Sequence, residues 1–150
     1  MGQKHPLTTI PLFEELSAIE LRQLSERCVE QSFPSGEYVF TEGDQATKLY
    51  MLVEGTVQVL RKSGSDKEIK VAELGPGEFF GELSFLDSEP RSASLKTTSP
   101  CKFLSISQKD FTDAAKYKSN ILWCVLKALC KRIRHISDDI AAEKIINSLG

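Results

Sequence analysis

Hydrophobic positions change their spacing twice along this chain, and the changes mark its elements. Leu21, Leu24 and Cys28 recur three and four apart behind Ser17-Ala18-Ile19-Glu20. That tetrapeptide has the form of a capping box, a hydroxyl for one orphan amide and a carboxylate reaching back. With the periodicity, it predicts an amphipathic helix over about 17–28, after a loose prolyl start at Pro6 and Pro11. From Phe33 the texture becomes short β-rich runs: Tyr38 to Phe40, Leu49 to Val53, Thr56 to Leu60, Ile69 to Ala72 and Cys101 to Leu104. Turn chemistry bounds each of them: Pro34-Ser35-Gly36, Glu42-Gly43-Asp44, Glu54-Gly55, Ser63 to Asp66 and Gly75-Pro76-Gly77. Many short strands at regular turn spacing predict a mainly β fold, a barrel or jelly roll over about 30–107, in place of a parallel α/β sheet.

Helical signals return over about 108–147. Ser107 is an N-cap candidate with Asp110 in the first turn, and Ser119 or Asn120 can cap a long final helix. There Leu122, Leu126, Leu129, Ile133, Ile136 and Ile140 step by 4, 3, 4, 3 and 4, a heptad seam with charged residues beside it. Such a seam can pack on the barrel within one chain. Its alternating spacing favours a two-helix coiled coil, so a homodimer through the C-terminal helix is expected.

At 150 residues and 41% hydrophobic, the chain can close one core and is read as a single domain, residues 1–150. A formal charge of -2, from 19 basic and 21 acidic side chains intermixed, provides no long-range field toward nucleic acid or acidic lipid. Cys28, Cys101, Cys124 and Cys130 form no C-x-x-C pair and read as buried cytosolic thiols. The N-terminus lacks a signal-peptide h-region, and the longest apolar run, Ile121 to Leu126, is too short to span a bilayer; a cytoplasmic protein with no membrane contact is expected.

Chemistry concentrates in Gly77 to Leu86 and in Pro90-Arg91-Ser92-Ala93-Ser94. Gly81 permits close approach of a ligand to the backbone, and Glu82 to Leu86 can form one helical turn whose amides point at an anion. The turn-rich Asp87 to Pro90 can bring the Arg91 guanidinium back over those amides, so a phosphate would meet amide dipoles and a bidentate fork together. Alternatively, Glu82 and Arg91 form a plain surface ion pair, with Ser92 and Ser94 facing water. Phe79, Phe80 and Phe85 read as core residues.

Phe80-Gly81-Glu82-Leu83 and Pro90 to Ser94 resemble the phosphate-binding cassette of cyclic-nucleotide-binding domains, as in catabolite-activator-type regulators and kinase regulatory subunits. Gly36, Gly43-Asp44, the Leu49 to Val53 strand with Gly55, and Gly75-Pro76-Gly77 fall where that family places its barrel turns. The resemblance implies a double-stranded β-helix, the jelly-roll, cupin-like barrel, with an N-terminal helix and a long C-terminal helix. It implies a cAMP or cGMP sensor with no cofactor and no catalysis. Arg91 would grip the exocyclic phosphate and Glu82 accept the ribose 2′-hydroxyl, with Gly81, Leu83 and Ser84 giving backbone contacts. Ser92 would add a hydroxyl to the phosphate or the purine, beside Ala93. An ungapped extension brings Ile136 and Ser137 to the purine, with Arg134 and His135 nearby, so ligand and subunit contacts share one helix and can be coupled.

Rival functions are weaker. A metal enzyme is not expected, because His5 and His135 are the only histidines and stand at opposite ends of the chain. Catabolite-activator-type proteins add a helix-turn-helix after the terminal helix; here the chain runs only to Gly150, so no recognition helix or direct DNA binding is expected, and the sequence leaves open a stand-alone sensor, a subunit acting on an effector protein, or an excised regulatory fragment. A degenerate fold that docks or dimerises without nucleotide is the remaining alternative.

Overall fold

Period-two alternation can bury both faces of a strand only if something covers each face, and here something does. The computed structural model describes residue 10 and residues 13–81, 88–117, 122–135 and 138. α1 (Ala18–Ser25) is followed by β1 (Val29–Phe33), β2 (Tyr38–Phe40), β3 (Lys48–Glu54), β4 (Val57–Lys62), β5 (Glu68–Leu74), β6 (Phe79–Phe80), β7 (Ser94–Thr97) and β8 (Cys101–Ser107). α2 (Gln108–Tyr117) and a further helix, α3, at residues 122–135, complete the described elements.

The strands form two four-stranded sheets, β1-β8-β3-β6 and β2-β7-β4-β5, with antiparallel pairing throughout. Along β3, Tyr50 and Leu52 face the second sheet and pack with Phe80, Leu95 and Phe103. Leu49 and Met51 point the other way, into a second cluster that Phe13, Leu24, Phe111, Cys124 and Val125 complete from the helical side. Strands covered on both faces read as continuous apolar runs, which is why β3 was so legible.

α1 begins on the expected capping box: the Glu20 amide donates to Ser17 Oγ, and the Ser17 amide to Glu20 Oε1, both at 3.2 Å. It ends at Ser25, short of Cys28, whose thiol turns back toward the Leu24 carbonyl at 3.5 Å. α2 is capped as expected, with the Asp110 amide donating to Ser107 Oγ at 3.1 Å. The Ser119 or Asn120 cap lies outside the described residues.

Three strands escaped the hydrophobic pattern. β1 presents Glu30 and Ser32 to solvent, β7 buries two hydroxyl residues, and β6 is only two residues long. The cysteines need a correction as well, because Cys101 and Cys124 are buried, Cys28 is half-buried and Cys130 is exposed. Burial pushes the Cys28 thiol up to about 12, with the Asp110 charge adding to the effect. Among the described residues, no helix is long and apolar enough to cross a membrane, and no three His, Cys, Asp or Glu side chains gather as a metal site.

Candidate functional site

A glycine turn builds the site by fixing one arginine. Asp44 closes its own turn, accepting the Thr41 amide on Oδ2 at 3.0 Å. The adjacent Gly43, at φ +91°, then turns its amide onto the Arg91 carbonyl at 2.9 Å, and the Arg91 amide donates to the Asp44 carbonyl at 2.8 Å. Ser94 Oγ, buried at the first residue of β7, accepts the Glu42 amide at 2.8 Å. Arg91 is thereby locked against the 42–44 turn, and its side chain enters the molecule.

Arg91 is only 5% exposed. Nη2 donates to the Lys48 carbonyl at 2.6 Å and Nη1 to the Gly81 carbonyl at 3.2 Å, while buried Nε has no acceptor among the described residues. The Phe40 ring lies 4.3 Å from Cζ and the Tyr50 ring 5.8 Å. Burial lowers the guanidinium from its ordinary value, against the opposing effects of Tyr50 and Asp44. Arginine remains a cation under such shifts. Among the described residues no carboxylate forms an ion pair with it. A buried cation with no ion pair and an unused donor among the described residues has the chemistry to receive an anion.

Arg91 lines one end of a cavity of about 550 Å³, within the usual range for small-molecule sites. Ser92, Ala93, Ser94 and Gly81 share that end; Phe40, Val59, Leu74, Phe80 and Leu95 form its apolar walls. Glu78, Phe79, Lys131, Arg132 and His135 line it as well, so α3 contributes to the enclosure.

Gly81 also shapes the site from the protein side. Its φ is +84°, and an added Cβ would run into Arg91 Nη1 and Cζ. The missing side chain makes room for the arginine itself, a seat that only glycine leaves open. Glu82, Leu83, Ser84 and Phe85 lie outside the described residues, as do Ile136, Ser137 and Ile140. Ser92 is exposed at the cavity and Ala93 is half-buried. Ser94 does not face water, being 2% exposed and engaged with Glu42. Phe79 and Phe80 are buried as expected and also line the cavity.

Arg132 went unnoticed in the sequence. It lies 4.0 Å from the Phe79 ring, donates to the Phe79 carbonyl at 2.8 Å and approaches Glu78 Oε2 at 4.0 Å. Burial lowers its guanidinium, with Glu78 opposing. As one of five basic residues between 127 and 135 if His135 is counted, it carried no distinguishing signal beyond its place off the apolar seam. α3 docks through buried Cys124 and Val125, with Ala128 and Leu129 packed beside them. Of the heptad seam, Leu122, Leu126 and Ile133 are exposed at 46%, 53% and 62%.

The chain matches the family model described as "Cyclic nucleotide-binding domain" over residues 30–118. It is 36% identical over 92 residues to a cAMP-dependent protein kinase type II regulatory subunit of Drosophila melanogaster, covering 61% of this chain and 24% of that protein. It is 26% identical over 130 residues to a CRP-like cAMP-activated global transcriptional regulator of Mycobacterium tuberculosis, covering 87% and 58%. The chain thus spans less than two thirds of the length of these curated relatives. Among solved structures, the Thermus thermophilus catabolite activator protein superposes with a TM-score of 0.80 at 28% identity, covering 87% of this chain and 61% of that one. A cyclic nucleotide-binding domain from Methylobacillus flagellatus superposes at 0.79 with 27% identity, covering 92% and 80%. With its model matched across both sheets and across the arginine that lines the cavity, the chain belongs to the cyclic nucleotide-binding domain family.

Proposed function

We propose that this chain is a non-catalytic sensor that binds a cyclic nucleotide, cAMP or cGMP, in the cavity that Arg91 lines. The observation that carries the reading is the buried Arg91 guanidinium, held by two carbonyls with Nε unused and no ion pair among the described residues. The names of the relatives, a cAMP-dependent kinase subunit and a cAMP-activated regulator, favour cAMP among the two ligands. In this reading Arg91 takes the phosphate, Ser92 and Ala93 flank it, Glu82 accepts the ribose 2′-hydroxyl, and Gly81, Leu83 and Ser84 offer backbone groups. Ile136 and Ser137 meet the base. The two sheets close as a double-stranded jelly roll, forming one domain with the helices. Free thiols at Cys28, Cys101, Cys124 and Cys130 suit a reducing cytoplasm.

The position of α3 is the proposed output. It contributes Lys131, Arg132 and His135 to the cavity and presents Leu122, Leu126 and Ile133 outward. Ligand that prefers one position of this helix shifts the population that a second copy or an effector protein meets. Calorimetric titration with cAMP and cGMP tests the reading. Wild type should bind at least one of them, and Arg91→Ala should weaken that binding about 100-fold or more, the loss expected for charge-assisted hydrogen bonds to phosphate. No heat from either nucleotide, or an unaffected Arg91→Ala, overturns it.

A further inference from the structure

An arginine that must receive an anion poses a conflict. Its charge needs support while the site is empty, yet a carboxylate partner would occupy the N–H edge that the anion must use. Resting on the cyclic-nucleotide reading above, we propose that Phe40 is a positioning residue whose ring, with Tyr50 beside it, supports the Arg91 guanidinium through its face and leaves the edge free for the ligand.

Five observations converge on this assignment. Phe40 lies 4.3 Å from Cζ and Tyr50 5.8 Å, and the two rings contact each other at 5.8 Å, tilted by 36°. Phe40 and Arg91 also line the same cavity. The carbonyls of Gly81 and Lys48 take one N–H each from Nη1 and Nη2, fixing the fork in its plane; a ring against the face fixes the tilt of that plane. Nε keeps its donor, buried and without an acceptor among the described residues. A ring quadrupole attracts a desolvated cation without consuming a hydrogen-bond donor. Phe40 also ends β2, directly before the 42–44 turn that holds the Arg91 backbone, so one stretch of chain holds both ends of this residue.

The test compares wild type with Phe40→Leu, Phe40→Met and Phe40→Tyr. The first two keep apolar bulk without a π face, and the third restores the ring. Proton exchange at Arg91 Nε is followed by nitrogen-15 NMR, the signal being assigned by its loss in Arg91→Lys, and affinity for cAMP and cGMP is followed by calorimetry. Phe40→Leu and Phe40→Met should speed Nε exchange and raise the Kd of the bound nucleotide, each about tenfold, and Phe40→Tyr should return both to near wild type. Two aliphatic variants keep the comparison alive if one fails to fold. Wild-type exchange and affinity in a folded aliphatic variant, or no recovery in Phe40→Tyr, overturns the clamp. If wild type binds neither nucleotide, the functional reading fails by itself, and Nε exchange still decides whether Phe40 holds the arginine.

Discussion

Gly81 carries a duty beyond the close backbone approach that its sequence context suggests: its missing side chain leaves the space that the Arg91 guanidinium fills. Gly81→Ala therefore carries two penalties, a backbone held at φ +84° and a collision with the guanidinium. Gly36, at φ +85° with nothing within 4 Å of an added Cβ, carries only the first. Both alanine variants should lose about 1–3 kcal/mol of stability, read by thermal or denaturant unfolding. Only Gly81→Ala should also weaken nucleotide binding, by about tenfold or more, because it displaces a donor that must lie within a few tenths of an ångström of its place. Equal affinity in the two variants would refute the account of Gly81 as the arginine's seat. Arg91 itself was legible, because a guanidinium after a turn-rich stretch has a clear chemical use. Phe40 and Arg132 were not, since an aromatic in a strand and a basic residue on a helix carry no local mark of what they touch.

At the scale of elements, legibility followed burial. β3 was found because both of its faces are covered, and α1 because its cap is written in four consecutive residues. β7 was missed because its buried positions include Ser94 and Thr97, hydroxyls satisfied by turns distant in sequence: Thr97 Oγ1 donates to the Pro34 carbonyl at 2.6 Å and accepts the Glu37 amide at 3.0 Å. A hydrophobic scale counts such residues as surface. The α3 seam was legible as a pattern, and docking has divided the helix: Cys124 and Val125 turn inward while Leu122, Leu126 and Ile133 face out. An outward apolar stripe on a helix is the geometry from which a second copy would form a coiled coil. On that reading Leu126→Asp combined with Ile133→Asp should convert a dimer into a folded monomer in sedimentation experiments. A wild type that is already monomeric at about 50 μM, well above the Kd range of specific dimers, would remove the seam assignment.

For the whole molecule, the two clusters make binding and stability one quantity. Phe79 belongs to the helix-side cluster and Phe80 to the cluster between the sheets, and both line the cavity. Filling that cavity reaches both cores at once. Nucleotide at about 100 times its Kd should therefore stabilise the chain by about 2.7 kcal/mol, seen as a raised unfolding temperature that increases with ligand concentration. The rise should be largely lost in Arg91→Ala. An unfolding temperature indifferent to cAMP and cGMP would count against binding to the native state.

What the chain determined by itself was local: the capping box, the turns at Gly43 and Gly77, the continuous apolar run of β3, and the chemical fitness of Arg91 for an anion. Each of these depends on neighbours within a few residues, where covalent geometry and hydrogen-bond reach are set by the sequence alone. Tertiary structure decided the rest. It brought Phe40, Lys48 and Gly81 around one guanidinium, removed that charge from water and left it without an ion pair among the described residues. It also laid α3 beside the cavity. Desolvation and through-space contact depend on which surfaces meet, and no spacing along a chain records that.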